Sequence, residues 1–320
     1  MPITESDQRT LPQVVAATAR ALPERVAISD GPVSLTYAEL DAARLRAAAA
    51  FLAAGLAHGE RIAIWAPNMW QWIVAAMGAQ TIGGVLVPLN TRLKGAEAGF
   101  ILRRSGARWL FTVGEFLGMR YPAMLEHEDL PDLKGTVLLE GESAGTQAWA
   151  EFLARGDAVD AAAVEMRASQ LTPDDTLDIL FTSGTTGQPK GVVTSHGQNI
   201  RAFSTWSATV GLNSDDNYLI INPFFHSFGY KAGWLAATLC GARMLPVKQF
   251  DLDAVLSQIH RDRVSVIPGP PTIYQSLLSH PRRAEYDLSS LRLAVTGAAP
   301  VPVSLIEKMR SELGFQVVVT

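Results

Sequence analysis

Cysteine is almost missing from this chain: Cys240 is the single one among 320 residues, so no internal disulfide can form. Its apolar neighbourhood gives it a structural reading that suits a reducing compartment. The zinc patterns built on paired cysteines are therefore excluded. His58, His127, His196, His226, His260 and His280 stand too far apart to form a ligand pair on one helix. Charge is scarce as well. Asp, Glu, Lys and Arg make up 18% of the residues and the formal net charge is −4, so no basic face is offered to nucleic acid or anionic lipid. Any anionic ligand must then be held by local donors. An unbroken apolar run long enough for a membrane span is lacking too. The stretch between Arg61 and Arg92 is free of charge, but Pro67, Asn68, Gln71, Gln80, Gly83, Gly84 and Pro88 divide it. The pieces 62–65, 69–81 and 85–87 read as strand, helix and strand rather than as a transmembrane helix. Residues 1–7 carry acidic side chains and no apolar stretch, so they do not read as a secretory signal, and the expected location is cytoplasmic.

What the chain does have is size, apolarity and rhythm. With 48% hydrophobic residues it can bury one large or two medium cores. Thr36-Tyr37-Ala38-Glu39 has the pattern of a capping box opening an alanine- and leucine-rich helix that runs to Leu56. Strand 61–65, a helix around Ile73, strand 85–87, a helix around Phe100 and strand 109–113 follow. The second half repeats the alternation: strand 218–221, a helix around Leu235, strand 244–247, helix 252–259 and strand 264–267. A helix near Tyr274, strand 291–295, helix 302–313 and a β-branched run 315–319 complete it. Short apolar strands alternating with helices predict an α/β fold of doubly wound parallel sheets. A polar, less periodic segment 144–175 separates the halves. The expected organisation is a first α/β lobe with its connection over 1–170 and a second, incomplete lobe over 171–320.

The most specific feature opens that second lobe. Residues 182–191, Thr-Ser-Gly-Thr-Thr-Gly-Gln-Pro-Lys-Gly, place four hydroxyl side chains, three glycines and a lysine directly after the mostly apolar run 177–181. Glycines allow successive backbone N–H groups to turn toward one anion, the hydroxyls add donors, and Lys190 adds charge, so the loop has the chemistry of a phosphate clamp. It lacks the Gly-Lys-Ser/Thr of a P-loop, and residues 191–195 read as strand rather than helix. A flexible connector between two strands is the plain alternative.

This loop resembles the [Ser/Thr]-Ser-Gly-Thr-Thr-Gly-x-Pro-Lys-Gly motif of the adenylate-forming superfamily, which includes acyl-CoA synthetases, peptide-synthetase adenylation domains and luciferases. Two further segments are similar to that family. Residues 222–230, Asn-Pro-Phe-Phe-His-Ser-Phe-Gly-Tyr, resemble its Pro-x-x-His-x-x-Gly motif, and 296–300, Thr-Gly-Ala-Ala-Pro, its adenine-binding turn. Both follow strand ends, where doubly wound sheets hold ligands. Pro268-Gly269-Pro270-Pro271-Thr272 is similar to the family's Pro-Pro-Thr segment.

The resemblance implies the two-lobed large N-terminal domain of an ATP-dependent carboxylic acid:CoA ligase, with ATP, Mg²⁺ and CoA as co-substrates. In that implied scheme Thr182, Ser183, Gly184, Thr185, Thr186, Gly187 and Lys190 hold the β- and γ-phosphates, and Thr182 also assists the metal. Gly297, Ala298, Ala299 and Pro300 receive the adenine. Phe225, His226, Phe228, Gly229, Pro271 and Gly297 border the acid, and Thr182, Lys190 and His226 form the catalytic set. The run 224–233 is similar to ligases acting on bulky, ring-containing acids of bacterial sterol breakdown, with a medium- or long-chain fatty acid as the other substrate class. A homodimer stays open as the assembly.

Family members continue beyond the last run into an aromatic-Gly-x-Thr-Glu motif, a ribose-binding Asp, a hinge and a small domain carrying a catalytic lysine. Residues 1–320 on their own are therefore expected to form no acyl-CoA. Two other readings compete. The chain could bind a nucleotide or an acid without turning it over. Alternatively Gly141-Glu142-Ser143-Ala144-Gly145, a formal Gly-x-Ser-x-Gly after an apolar run, would make Ser143 the nucleophile of a hydrolase.

Overall fold

The computed structural model describes residues 9–182, 188–297 and 299–320. The helix expected after Thr36 forms as Tyr37–Ala53. The Glu39 backbone N–H donates to Thr36 Oγ1 (3.2 Å) and the Thr36 N–H to Glu39 Oε2 (2.7 Å), so two otherwise unpaired donors are satisfied. The helix stops short of Leu56 because Gly55 turns the chain with φ +72°.

Two seven-stranded sheets organise the molecule. The first runs, edge to edge, Lys190–Ser195, Thr176–Thr182, Val85–Pro88, Arg61–Trp65, Ala107–Val113, Gly135–Glu140, Gln147–Ala148. The second runs Val317–Val319, Leu293–Val295, Val266–Pro268, Asn217–Ile220, Arg243–Pro246, Val26–Asp30, Val33–Thr36. Their central pairings are parallel, as the strand–helix alternation predicts; each sheet also carries one antiparallel pair at an edge. The fold is the α/β architecture of two parallel-rich sheets.

The expected boundary at 170/171 does not coincide with sheet membership. The hairpin Thr176–Thr182 with Lys190–Ser195 joins the first sheet, pairing Asp178 with Leu86, whereas Val26–Asp30 joins the second, pairing Ile28 with Met244. Each sheet thus borrows a hairpin from the other half of the chain. The order of strands along a sequence says nothing about which open sheet edge a hairpin will find, and that is why a linear division misses the exchange.

The helix Trp70–Thr81 is buried on nearly all sides, which accounts for its lack of charge. Trp72 meets Phe224, Tyr230 and Trp234 with ring centroids 5.4, 6.0 and 6.0 Å apart, so one aromatic cluster joins the first half of the chain to the second. Among the described residues no helix is long and apolar enough to cross a membrane. The polar segment 144–175 folds into helices Trp149–Ala154 and Ala161–Ser169, with Phe152 set edge-on against Phe51 and Phe111.

Two helices outside the expected alternation, Leu11–Ala21 and His196–Val210, are tied together at their starts. The Leu11 N–H donates to Nδ1 of His196, which is fully buried. Burial lowers the His196 pKa from 6.5 to about 4; nearby Asp175 opposes the shift and His58 adds to it. The unfolded chain takes up a proton near pH 6.5 and the folded chain only near 4, so this stabilisation is complete above 6.5 and lost as pH falls through 4. His196→Asn is expected to remove up to about 3 kcal/mol of the stability lost in that window. Denaturant unfolding at a series of pH values checks this, and identical acid slopes for variant and wild type would contradict it.

Candidate functional site

Three of the segments singled out in the sequence leave the carboxyl ends of neighbouring parallel strands in the second sheet. Residues 222–230 follow Asn217–Ile220, residues 269–271 follow Val266–Pro268, and Thr296 and Gly297 follow Leu293–Val295. A net of hydrogen bonds holds them side by side. Asn222 Nδ2 donates to the Pro268 carbonyl (3.1 Å), the Gly269 N–H to the Val295 carbonyl (2.9 Å), and the Tyr274 hydroxyl to the carbonyls of Ile267 (2.7 Å) and Val295 (3.1 Å). This common rim is where a doubly wound sheet leaves room for a ligand.

On it, His226 is exposed, Phe225 and Phe228 are half-buried, and Gly229 and Pro271 are buried. His226 Nδ1 accepts from the Phe228 N–H (3.2 Å) and caps the short turn that follows, which fixes the ring relative to the backbone. At Gly297 a Cβ would meet no atom within 4 Å, so the backbone there faces open space that a flat ring can approach. Ala299 and Pro300 are exposed; Ala298 lies outside the described residues.

The hairpin expected to clamp phosphate, Thr176–Thr182 with Lys190–Ser195, stands on the first sheet. Thr182 and Lys190 are exposed and directly paired across its two strands, so both flank the mouth of the loop. Ser183, Gly184, Thr185, Thr186 and Gly187 lie outside the described residues. Among the described residues no group of three His, Cys, Asp or Glu side chains is placed to hold a metal ion. The Thr182 hydroxyl is of the oxygen-donor kind that Mg²⁺ prefers. Clefts of about 570 and 330 Å³ lie elsewhere, the larger beside Thr18, Ser207 and Cys240 and the smaller beside Gln275 and Lys308.

Two sets of side chains that the sequence reading passed over join the halves of the site. Asn68, at the end of a first-sheet strand, is buried. Its Nδ2 donates to the carbonyls of Ile220 (3.1 Å) and Asn222 (2.9 Å), and its Oδ1 accepts from the Phe224 N–H (2.8 Å). It therefore holds the backbone that leads to His226. Asn68→Ala removes a donor from the Asn222 carbonyl and the acceptor of the Phe224 N–H, whereas the Ile220 carbonyl keeps the Val247 N–H, and is expected to cost about 1–3 kcal/mol. Thermal unfolding of the variant checks this; an unchanged Tm would contradict it.

The second set centres on Lys231, the only formal charge in residues 217–242. Its ammonium donates to Asp178 Oδ1 (3.0 Å) and to Thr194 Oγ1 (2.9 Å), with Asp178 fully buried and Lys231 nearly so. Burial raises the Asp178 pKa and lowers that of Lys231, and each partner's charge opposes the other's shift. Nearby, Gln80 Nε2 donates to the Tyr230 hydroxyl (2.9 Å) and the Leu177 carbonyl (3.2 Å). The signal was present in the sequence, since Lys231 and Asp178 each sit as a lone charge in an apolar run, and a buried charge requires a partner.

Ser143 does not form a nucleophile elbow. The strand Gly135–Glu140 runs into a largely exposed turn and then the two-residue strand Gln147–Ala148, whereas the elbow needs a helix directly after the serine.

The family model described as AMP-binding enzyme matches residues 15–320 of this chain. A 3-[(3aS,4S,7aS)-7a-methyl-1,5-dioxo-octahydro-1H-inden-4-yl]propanoyl:CoA ligase of Mycobacterium tuberculosis is 48% identical over 98% of this chain and 62% of its own length. The protein of the same name from Rhodococcus jostii is 43% identical over 97% of this chain and again 62% of its own length. The chain thus spans less than two thirds of the length of these curated relatives. The inhibitor-bound N-terminal domain of FACL13 from Mycobacterium tuberculosis superposes with a TM-score of 0.82 at 29% identity, over 93% of this chain and 72% of that one.

Proposed function

The chain belongs to the AMP-binding enzyme family, and on that premise we propose that it carries the nucleotide- and acid-binding part of an ATP-dependent acid:CoA ligase. The observation that carries the reading is the shared rim. Three segments leave adjacent strand ends, and the hairpin Thr176–Thr182 with Lys190–Ser195 is joined to the first of them through Lys231 and Asp178.

A carboxylate is a poor electrophile because hydroxide or oxide must leave from it. The proposed reaction solves this by transfer of AMP. The acid's oxygen attacks the α-phosphorus of ATP, the bond to the β-phosphate oxygen breaks, and pyrophosphate departs. The CoA thiolate then attacks the acyl carbon and AMP leaves. Mg²⁺ would come bound to ATP, with the Thr182 hydroxyl as the side chain that would reach it, and would supply charge neutralisation for the pyrophosphate. Lys190 supplies a cation at the loop mouth, and Thr182 supplies a hydroxyl beside it. Gly297 admits the adenine and one wall of the acid, and His226 with Phe225 and Phe228 borders the acid on the other side.

The proposed acid is a bicyclic propanoate of the kind named for the two relatives at 48% and 43% identity. Acyl-CoA formation by the full-length protein, followed by mass spectrometry over aliphatic, aryl and alicyclic acids, tests the reading. The alicyclic propanoate is expected to give the highest kcat/KM. A preference for long aliphatic acids would move the substrate class to fatty acids. ATP binding with no acyl-CoA from any acid would leave a binding module.

A further inference from the structure

A buried ion pair is an uneconomical way to fill a core. An apolar pair of the same volume stabilises as well or better, so the arrangement of Lys231 and Asp178 calls for a use other than stability. Its position supplies one. Asp178 sits in the phosphate-clamp strand, four residues before Thr182, and lies opposite Thr194 in the returning strand. Lys231 stands on a π-helical turn, Tyr230–Leu235, that begins directly after Gly229. The Tyr230 N–H donates to the His226 carbonyl (2.9 Å), which makes the turn and the histidine one unit.

The cluster is also directional. Thr194 Oγ1 donates to Asp178 Oδ1 (2.7 Å) while accepting from Lys231 Nζ (2.9 Å) and from Asn199 Nδ2 (2.9 Å). Both strands of the hairpin therefore meet one ammonium group, and the helix after it reaches the same threonine hydroxyl through Asn199. Apolar side chains would let these elements slide, whereas charged hydrogen bonds at fixed length do not.

Resting on the ligase reading above, we infer that Lys231 and Asp178 are positioning residues: they clamp the phosphate-binding hairpin to the His226 turn and so couple ATP binding to acid binding. A shift of the hairpin when ATP enters is passed through the pair to the wall of the acid site, and a shift of that wall on acid binding returns to the hairpin, as linkage requires.

The test compares stability with coupling in the full-length protein. Lys231→Met alone leaves a buried carboxylate without its cation and lowers Tm sharply. The double variant Lys231→Met with Asp178→Leu removes both charges and recovers most of that loss. If the pair positions the site, the double variant still shows a KM for ATP, at saturating octahydroindenyl propanoate, raised by about tenfold, and the acid no longer tightens calorimetric Mg-ATP binding. Recovery of wild-type KM together with wild-type coupling would overturn the proposal and leave the pair structural. Should the double variant fail to fold, Thr194→Val removes the bridging hydroxyl at constant shape and is expected to raise the ATP KM by about threefold, with Thr194→Ser restoring it; an unchanged KM overturns the clamp. A wild-type protein that forms no AMP with any acid faults the ligase reading itself, whereas an active wild type with unperturbed variants faults only the clamp.

Discussion

Replacing Lys190 with alanine is expected to slow acid-dependent pyrophosphate release at limiting ATP by about tenfold to a hundredfold. The side chain is exposed at the mouth of the phosphate-clamp hairpin, paired across the strands with Thr182. A charge-assisted hydrogen bond from its ammonium to a phosphate is worth about 1.5–3 kcal/mol, and each 1.4 kcal/mol or so is a factor of ten. Because the side chain is exposed, Tm should stay near that of the wild type, which separates loss of a ligand contact from loss of the fold. Lys190→Arg keeps the charge and should recover part of the rate, though a guanidinium fork does not reproduce the compact ammonium. Unchanged pyrophosphate release in the alanine variant would remove Lys190 from the phosphate site.

Gly229→Ala is expected to be more damaging. A Cβ at Gly229 would lie 2.2 Å from the carbonyl oxygens of both Asn222 and Pro223. These are backbone atoms held by the buried Asn68 amide and by the strand end, so they cannot swing aside as a side chain tip would. The turn must open, and His226 moves with it, because its backbone N–H is bonded to the Pro223 carbonyl (3.0 Å) and its ring caps the same turn. Overpacking of this kind costs about 1–3 kcal/mol of stability. A displacement of about 1 Å at a binding wall lowers turnover by about a hundredfold. The loss should fall on the acid KM and kcat more than on ATP binding. Gly297→Ala provides the contrast, since a Cβ there meets nothing within 4 Å and the protein should fold normally. Normal acid kinetics in Gly229→Ala would show that the turn does not wall the acid site.

How much of this was legible in the sequence depends on the range of the interactions involved. The capping box at Thr36 and Glu39, the strand Arg61–Trp65 and the helix Val303–Leu313 are local signals, and the structure has them within a residue or two of the expected bounds. The exchange of hairpins was not legible. Val26–Asp30 finds its partner Arg243–Pro246 across more than two hundred residues, and nothing in a stretch of five residues names a distant edge. The segments at 222–230, 268–271 and 296–300 could be found one by one from their composition. That they leave neighbouring strands follows only from the sheet order. Asn68 looked like a residue that merely interrupts an apolar run; its role depends on carbonyls more than 150 positions away. Lys231 and Asp178 did leave a trace, as isolated charges in apolar stretches, and pairing lone buried charges of opposite sign is a rule that would have joined them.

The measurement that bears most directly on the account is the identity of the nucleotide product. Full-length protein supplied with Mg-ATP, CoA and octahydroindenyl propanoate should release AMP, pyrophosphate and acyl-CoA in equal amounts. With CoA withheld, acyl-adenylate should accumulate on the protein, since the first step needs only the acid and ATP. Release of ADP and orthophosphate, or consumption of ATP that does not depend on the acid, would contradict adenylation as the chemistry of this site.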